Sequence, residues 1–342
     1  MRLVYLLVLA LQFQFISTSV DAKMKSKSAT LKKIVVVGTV PGPELWKVTD
    51  GEHVLWILGT LSPLPNKLDW NSKPIEKVVK SSQAFLLPPT VTAELGFFKS
   101  LSLAKTAVGI KKNPEKQKLK DILPADLYTR WSLLKKKYIG HNDGIEKNRP
   151  VFAGEKLMDK ALKKTGLKRG VGITKKLKKV ARKSKIELIQ PKIVIDLNEP
   201  KSALKKFKKS EMNDLECFSK TMERIETDLN EMRLRAVAWS FGDIETIKSL
   251  PFVDDNQACS TALLSSELAE DMGITDIRFR LRTVWLNKAT TLLAKNKTTF
   301  AVWPILHLLS EDSILHDLES AGFNVEAPNL TDAYINEDTI IE

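Results

Sequence analysis

A chain of 342 residues, 43% of them apolar and with only 15 Gly and 15 Pro, is long enough for one large domain or two smaller ones, and its composition excludes wholesale disorder. The formal net charge of +13 is unevenly spread. Residues 111–210 hold 30 Lys and Arg against 10 Asp and Glu, near +20, whereas residues 211–342 hold 11 against 24, near −13.

At the N-terminus, Arg2 precedes an apolar run from Leu3 to about Ile16, and small and polar residues lead to Val20-Asp21-Ala22. This three-part pattern predicts a secretory signal over residues 1–22, cleaved after Ala22. Its roughly 14 apolar residues fall short of the ~20 that span a bilayer, so an uncleaved anchor fits less well. No Cys follows the run, which argues against a bacterial lipoprotein, and no later segment is apolar enough to span. The mature chain is therefore expected to be exported, to the periplasm or beyond it.

A polar spacer, residues 23–33, leads to "LKKIVVVGTV", which reads as a strand, and "PGP", a turn. "ELWKVTDGEHVLWILGTL" reads as two strands joined at Asp50-Gly51, a strong hairpin signal. Helical periodicity at Ile75, Val78 and Val79 predicts a helix within residues 71–81, and "QAFLLP" a buried strand. Residues 93–139 and 155–184 read as helical, the latter opening on an amphipathic segment that ends at Gly166, and "IELIQPKIVIDL" reads as extended.

Asn213 and Glu216 suggest a capping box for the longest helix. Leu215, Phe218, Met222, Ile225, Leu229 and Met232 then recur at helical spacing until Gly242. That stripe reads as core. A later helix, about Asp276 to Lys295, carries Arg282 and Trp285 one turn apart and leads into the strand "TTFAVWPI". A helix ending at Gly322, a short strand, and an acidic tail over residues 329–342 follow.

Cys217 and Cys259 are the only cysteines. In an oxidising compartment an even count favours a disulfide, the alternative being two buried thiols. Such a bridge would close a loop of about 42 residues and contribute on the order of 3 to 4 kcal/mol in the loop-entropy model. Neither cysteine stands in a CxxC or a metal-ligand spacing.

The basic stretches, such as Leu167–Lys185 and Lys201–Ser210, carry no nucleic-acid motif and little aromatic residue beyond Phe207. Behind a signal peptide their expected counterparts are an acidic polymer, an anionic lipid surface, an envelope protein or the chain's own acidic part, and not nucleic acid. A lysine-rich solvated face without a dedicated partner is the plain alternative. "GVGITKK" reads as a turn within this stretch.

Together, "LWKVTDGEHVLWILGTLSPLP" with the helix and strand after it, "CFSKTMERIETDLNEMRLRAVAWSFGDIETIKSLP", and "TTFAVWPILHLLSEDSILHDLESAGFNVE" resemble the TraB/GumN family, in an exported bacterial branch. The resemblance covers about residues 35–328 and implies an α/β (α+β) fold. The expected architecture is a Tiki/erythromycin-esterase-like core sheet flanked by helices, over residues 34–328, with a lysine-rich helical insertion at about 93–210. In the Tiki metalloproteases of the broader family, two Gly-x-x-His motifs and a strand-end acid are associated with a divalent metal, which polarises a carbonyl and activates water.

Carried over residue by residue, the pattern is degenerate. Gly59 and Thr60 match the first motif, but Ser62 stands at the histidine position. Leu86, Leu87 and Pro88 stand where the acid is expected. Pro304 replaces the second glycine, although His307 is in place. His53, His141 and His316 fall in a hairpin turn, a polar loop and a helix face.

Arg282 occupies the place of an arginine that recurs in the family's penultimate helix; it would aim at the pocket under the Gly59 loop or pair with Asp243 or Glu245. Ser62 lies in no G-x-S-x-G, and no P-loop or G-x-G-x-x-G is present. The expectation is a non-catalytic relative of metal-dependent hydrolases, with Gly59, Thr60, Ser62, Arg282 and His307 around its pocket, no resident cofactor, and an acidic ligand or envelope partner. The alternatives are a metal-dependent hydrolase with non-standard ligands, His307 being the metal candidate, and a purely structural protein.

Overall fold

The computed structural model describes residues 41–93, 103–170, 172–195, 199–264, 267–271 and 273–328. The expected signal, spacer, first strand and acidic tail lie outside the described residues. The elements run β1 (Leu45–Thr49), β2 (Val54–Thr60), β3 (Leu64–Pro65), α1 (Lys73–Ser81), β4 (Ala84–Leu86) and β5 (Thr90–Ala93). Then come α2 (Leu119–Ile122), α3 (Ala125–Tyr138), α4 (Pro150–Lys164), β6 (Leu167–Lys168), α5 (Gly172–Lys183), β7 (Glu187–Ile189), β8 (Lys192–Ile195) and α6 (Pro200–Lys209). Two helices follow, α7 (Leu215–Thr227) and α8 (Leu229–Ser240), and then α9 (Ile244–Ser249), α10 (Asp255–Leu264), α11 (Glu267–Asp271) and α12 (Ile277–Lys295). The chain closes with β9 (Thr298–Pro304), α13 (Ile305–Leu308), α14 (Ile314–Ser320) and β10 (Asn324–Glu326).

The fold is mixed α/β. Its main sheet has the order β10-β1-β2-β9-β4-β7. β1 and β2 form the predicted antiparallel hairpin, turned at Gly51, whose φ of +104° suits glycine, and held by Asp50, which accepts the backbone N–H groups of Glu52 and His53. β2, β9, β4 and β7 run parallel, so all four carboxyl ends leave the same edge of the sheet. Leu55, Ile57 and Leu58 of β2, Ala84, Phe85 and Leu86 of β4 and Phe300, Ala301 and Val302 of β9 are all buried, which explains why these strands read as continuous apolar runs.

The basic region divides between two cores. In α5, Ile173, Leu177 and Ala181 recur every fourth residue and pack into the core of the main sheet, leaving the intervening cations outside. Trp131, Leu157, Phe218 and Met222 of α3, α4 and α7 build a second core. The short strand β6 falls inside the 155–184 segment expected to be helical, whereas β7 and β8 lie in the stretch read as extended. Of "GVGITKK", Gly172 to Lys176 open α5 and do not form a turn, and Ile173 anchors them in the core. "IELIQPKIVIDL" splits at Gln190-Pro191 into β7, in the main sheet, and β8, which pairs with β5 in a separate sheet.

The helix predicted from Asn213 to Gly242 is two helices. Asp214 is the N-cap, without a capping box, and the break comes at Asp228. Its carboxylate lies between Arg224 (Nε 3.3 Å away) and Arg235, so the break falls where a buried acid collects two guanidinium groups, while Asp228 itself keeps helical backbone angles. The apolar stripe runs through the break, with Phe218, Met222, Ile225, Leu229 and Met232 buried in one core. The longest described helix is instead α12, with 19 residues. Gly242 ends α8 as expected, at φ +75°: its N–H bonds the Trp239 carbonyl at 3.2 Å and the Asp243 N–H that of Ala238 at 2.9 Å, a Schellman closure. Cys217 of α7 and Cys259 of α10 form the expected disulfide.

Candidate functional site

In parallel α/β sheets, ligands bind outside the carboxyl ends of the strands. The two degenerate motifs meet there, because β2 and β9 pair with Gly59 opposite Trp303 and Thr60 opposite Pro304. Thr60 Oγ1 donates to the Trp303 carbonyl at 3.2 Å and stitches the motifs together. Gly59 has a packing reason to be glycine: a Cβ would stand 2.8 Å from Ile305 Cγ1 and 2.9 Å from Trp46 Cζ3. Its carbonyl accepts Trp239 Nε1 at 2.7 Å, so α8 is bonded to the end of β2.

Ser62 is exposed, and its Oγ accepts the Gly170 N–H at 3.3 Å. The peptide to Pro63 is cis, and the chain then pairs through β3 with β6. Leu86 and Leu87 are buried, and the Leu87 N–H bonds the Ile189 carbonyl at 2.8 Å. Carbon and backbone therefore fill the place of the expected acid.

His307 lies on α13 and is exposed. Partial desolvation by the atoms packed around it, reinforced by Arg278 and opposed by Asp254, lowers its pKa below the ordinary histidine value and favours the neutral imidazole. His53 is engaged elsewhere: its Nδ1 lies 2.9 Å from Asp50 Oδ2, and that contact, with the backbone N–H groups of His53 and Glu52, lowers the Asp50 pKa to about 2.

Arg282 turns to α14. Its Nε donates to Asp317 Oδ2 at 2.6 Å, and its two terminal nitrogens donate to the carbonyls of Asp312, at 2.5 Å, and Ser313, at 3.0 Å. Its partner is thus Asp317; Asp243 instead caps α9 through the Thr246 N–H at 2.9 Å.

The donor set at the motif positions does not fit a divalent ion. It comprises one imidazole, one hydroxyl already holding a backbone N–H, and buried carbon where a carboxylate would stand. Among the described residues no three His, Cys, Asp or Glu side chains converge as metal ligands.

What the carboxyl edge does hold is positive charge. A cavity of about 400 Å³ opens where β4 and β7 end, lined by Leu87, Pro88, Pro89, Thr90 and Gln190 on the strand side and by Thr174, Lys175, Lys178 and Arg182 of α5. On the other flank of the same helix lies a second cavity, of about 370 Å³, whose lining includes Lys168, Arg169, Lys175 and Trp70. Lys175 borders both. These cations were present in the sequence only as members of a lysine-rich stretch. The signal that picks them out is their phase: they alternate with Ile173, Leu177 and Ala181, which bind the helix to the sheet.

The sequence pattern that defines the TraB/PrgY/gumN family matches residues 44–327, from the start of the hairpin to the end of β10. No curated protein and no solved structure matches the chain. No helix among the described residues is long and apolar enough to cross a membrane. With 284 of its 342 residues inside that match, the chain belongs to the TraB/PrgY/gumN family.

Proposed function

We propose that this protein is an exported, non-catalytic member of its family that binds an acidic ligand at the carboxyl edge of the sheet, in the cleft beside α5. The observation that carries the reading is the exchange of charge at that edge. Buried Leu86 and Leu87 stand in place of an acid, and Lys175, Lys178 and Arg182 line the cavity next to them. Cations lining a concave site attract anions more strongly than the same charges on a flat surface, because the low-dielectric walls focus their field. Export is supported by the N-terminal pattern and by the Cys217–Cys259 disulfide, which suits an oxidising compartment.

The test is equilibrium binding of pyrophosphate to the wild-type chain, to Lys178→Glu/Arg182→Glu, and to Lys205→Glu/Lys209→Glu, which makes the same charge change on α6. The α5 pair is expected to lose on the order of tenfold or more in affinity at low salt, and the α6 pair much less. Equal losses in both variants would overturn the reading. So would turnover of a peptide or ester that a chelator and His307→Ala both abolish.

A further inference from the structure

We infer that the ligand of the α5 cleft is an anionic amphiphile, a carboxylate or phosphate head on an apolar body. This rests on the reading of the cleft as an anion site and assigns the remainder of the ligand. Leu87, Pro88 and Pro89 supply a wall with no side-chain donor or acceptor, and the lysine and arginine stems add alkyl surface below their charges. Gln190 Nε2 is already committed to the Pro88 carbonyl at 3.3 Å. No carboxylate lines the cavity. The neutral side-chain acceptors on the lining are the Thr90 and Thr174 hydroxyls and Gln190 Oε1, so a polyamine would meet three cations and no counter-charge, and the apolar wall would give the hydroxyls of a sugar few partners.

Lys175, Lys178 and Arg182 make no ion pair among the described residues, which leaves their charge for a ligand. At about 400 Å³ the cavity has the size of a small-molecule site. The cations line a hollow that can take the apolar body of a free amphiphile beside its head, which head groups held in a bilayer do not offer it.

Butyl, octyl and dodecyl phosphate, each below its micelle concentration, provide the test, with inorganic phosphate lacking the body and dodecanol lacking the charge. Affinity is expected to rise from butyl to octyl by up to about fourfold for each methylene buried. It should then level off as the cavity fills, fall on the order of tenfold or more in Lys178→Glu/Arg182→Glu, and be weak for dodecanol. If inorganic, butyl and dodecyl phosphate bind equally, and through the α5 cations, this inference fails while the anion site stands. If none of the probes binds, nor pyrophosphate, both fail. Binding to vesicles of anionic phospholipid without binding of the monomeric alkyl phosphates would also overturn it.

Discussion

Replacing Asp228 with Ala is expected to lower the stability of the fold by about 3–5 kcal/mol, measured by denaturant unfolding. Asp228 and Arg235 are each 2% exposed, and the carboxylate also receives Arg224 Nε. Both guanidinium groups stack on Phe252, with Arg224 Cζ 5.2 Å and Arg235 Cζ 5.3 Å from the ring centre, and Arg235 also donates to the Pro251 carbonyl at 3.1 Å. Removing the acid leaves Arg235 buried with most of its charge uncompensated, and loosens the point where α7, α8 and the 251–252 segment meet. Exchange of both partners for apolar residues, Asp228→Leu with Arg235→Met, should cost clearly less than the single change, because no charge is then stranded. A single Asp228→Ala variant as stable as the wild type would mean that the cluster contributes nothing.

Trp239→Ala should cost a similar amount, about 3–5 kcal/mol, and Trp239→Phe about 1 kcal/mol. The indole is 1% exposed, sits edge-on to Trp70 with ring centres 5.2 Å apart, and donates to the Gly59 carbonyl. Alanine removes a large buried ring and opens a cavity; phenylalanine keeps most of the ring and loses the bond. The difference between the two variants separates packing from hydrogen bonding. Equal destabilisation by both would show that the bond to the end of β2 dominates.

The parts of the fold visible in the sequence were those set by local pattern. Asp50-Gly51 marked the hairpin, the apolar runs marked β4 and β9, and Gly242 marked the end of α8. The parts that escaped depend on partners distant in sequence. Nothing local to Asp228 announces that it will meet Arg235 in the interior, at a break that the apolar stripe runs straight through. Arg282 pairs with Asp317, 35 residues on, because α14 packs beside α12. The motif residues Gly59, Thr60, Ser62 and His307 were legible, and two of them have structural duties that local pattern does not reveal: Gly59 admits Ile305 and Trp46, and Ser62 holds Gly170. The α5 cations were hidden by abundance, since Lys and Arg make up 30 of residues 111–210.

That abundance also supplies the strongest rival to a dedicated site beside α5, a general attraction of anions to a lysine-rich surface. Lysine acylation mapped by mass spectrometry, with and without pyrophosphate, decides between them most directly. If the α5 cleft is the anion site, Lys175 and Lys178 are protected while Lys201, Lys205 and Lys209 of α6 react as before. Protection spread evenly over both helices would contradict it.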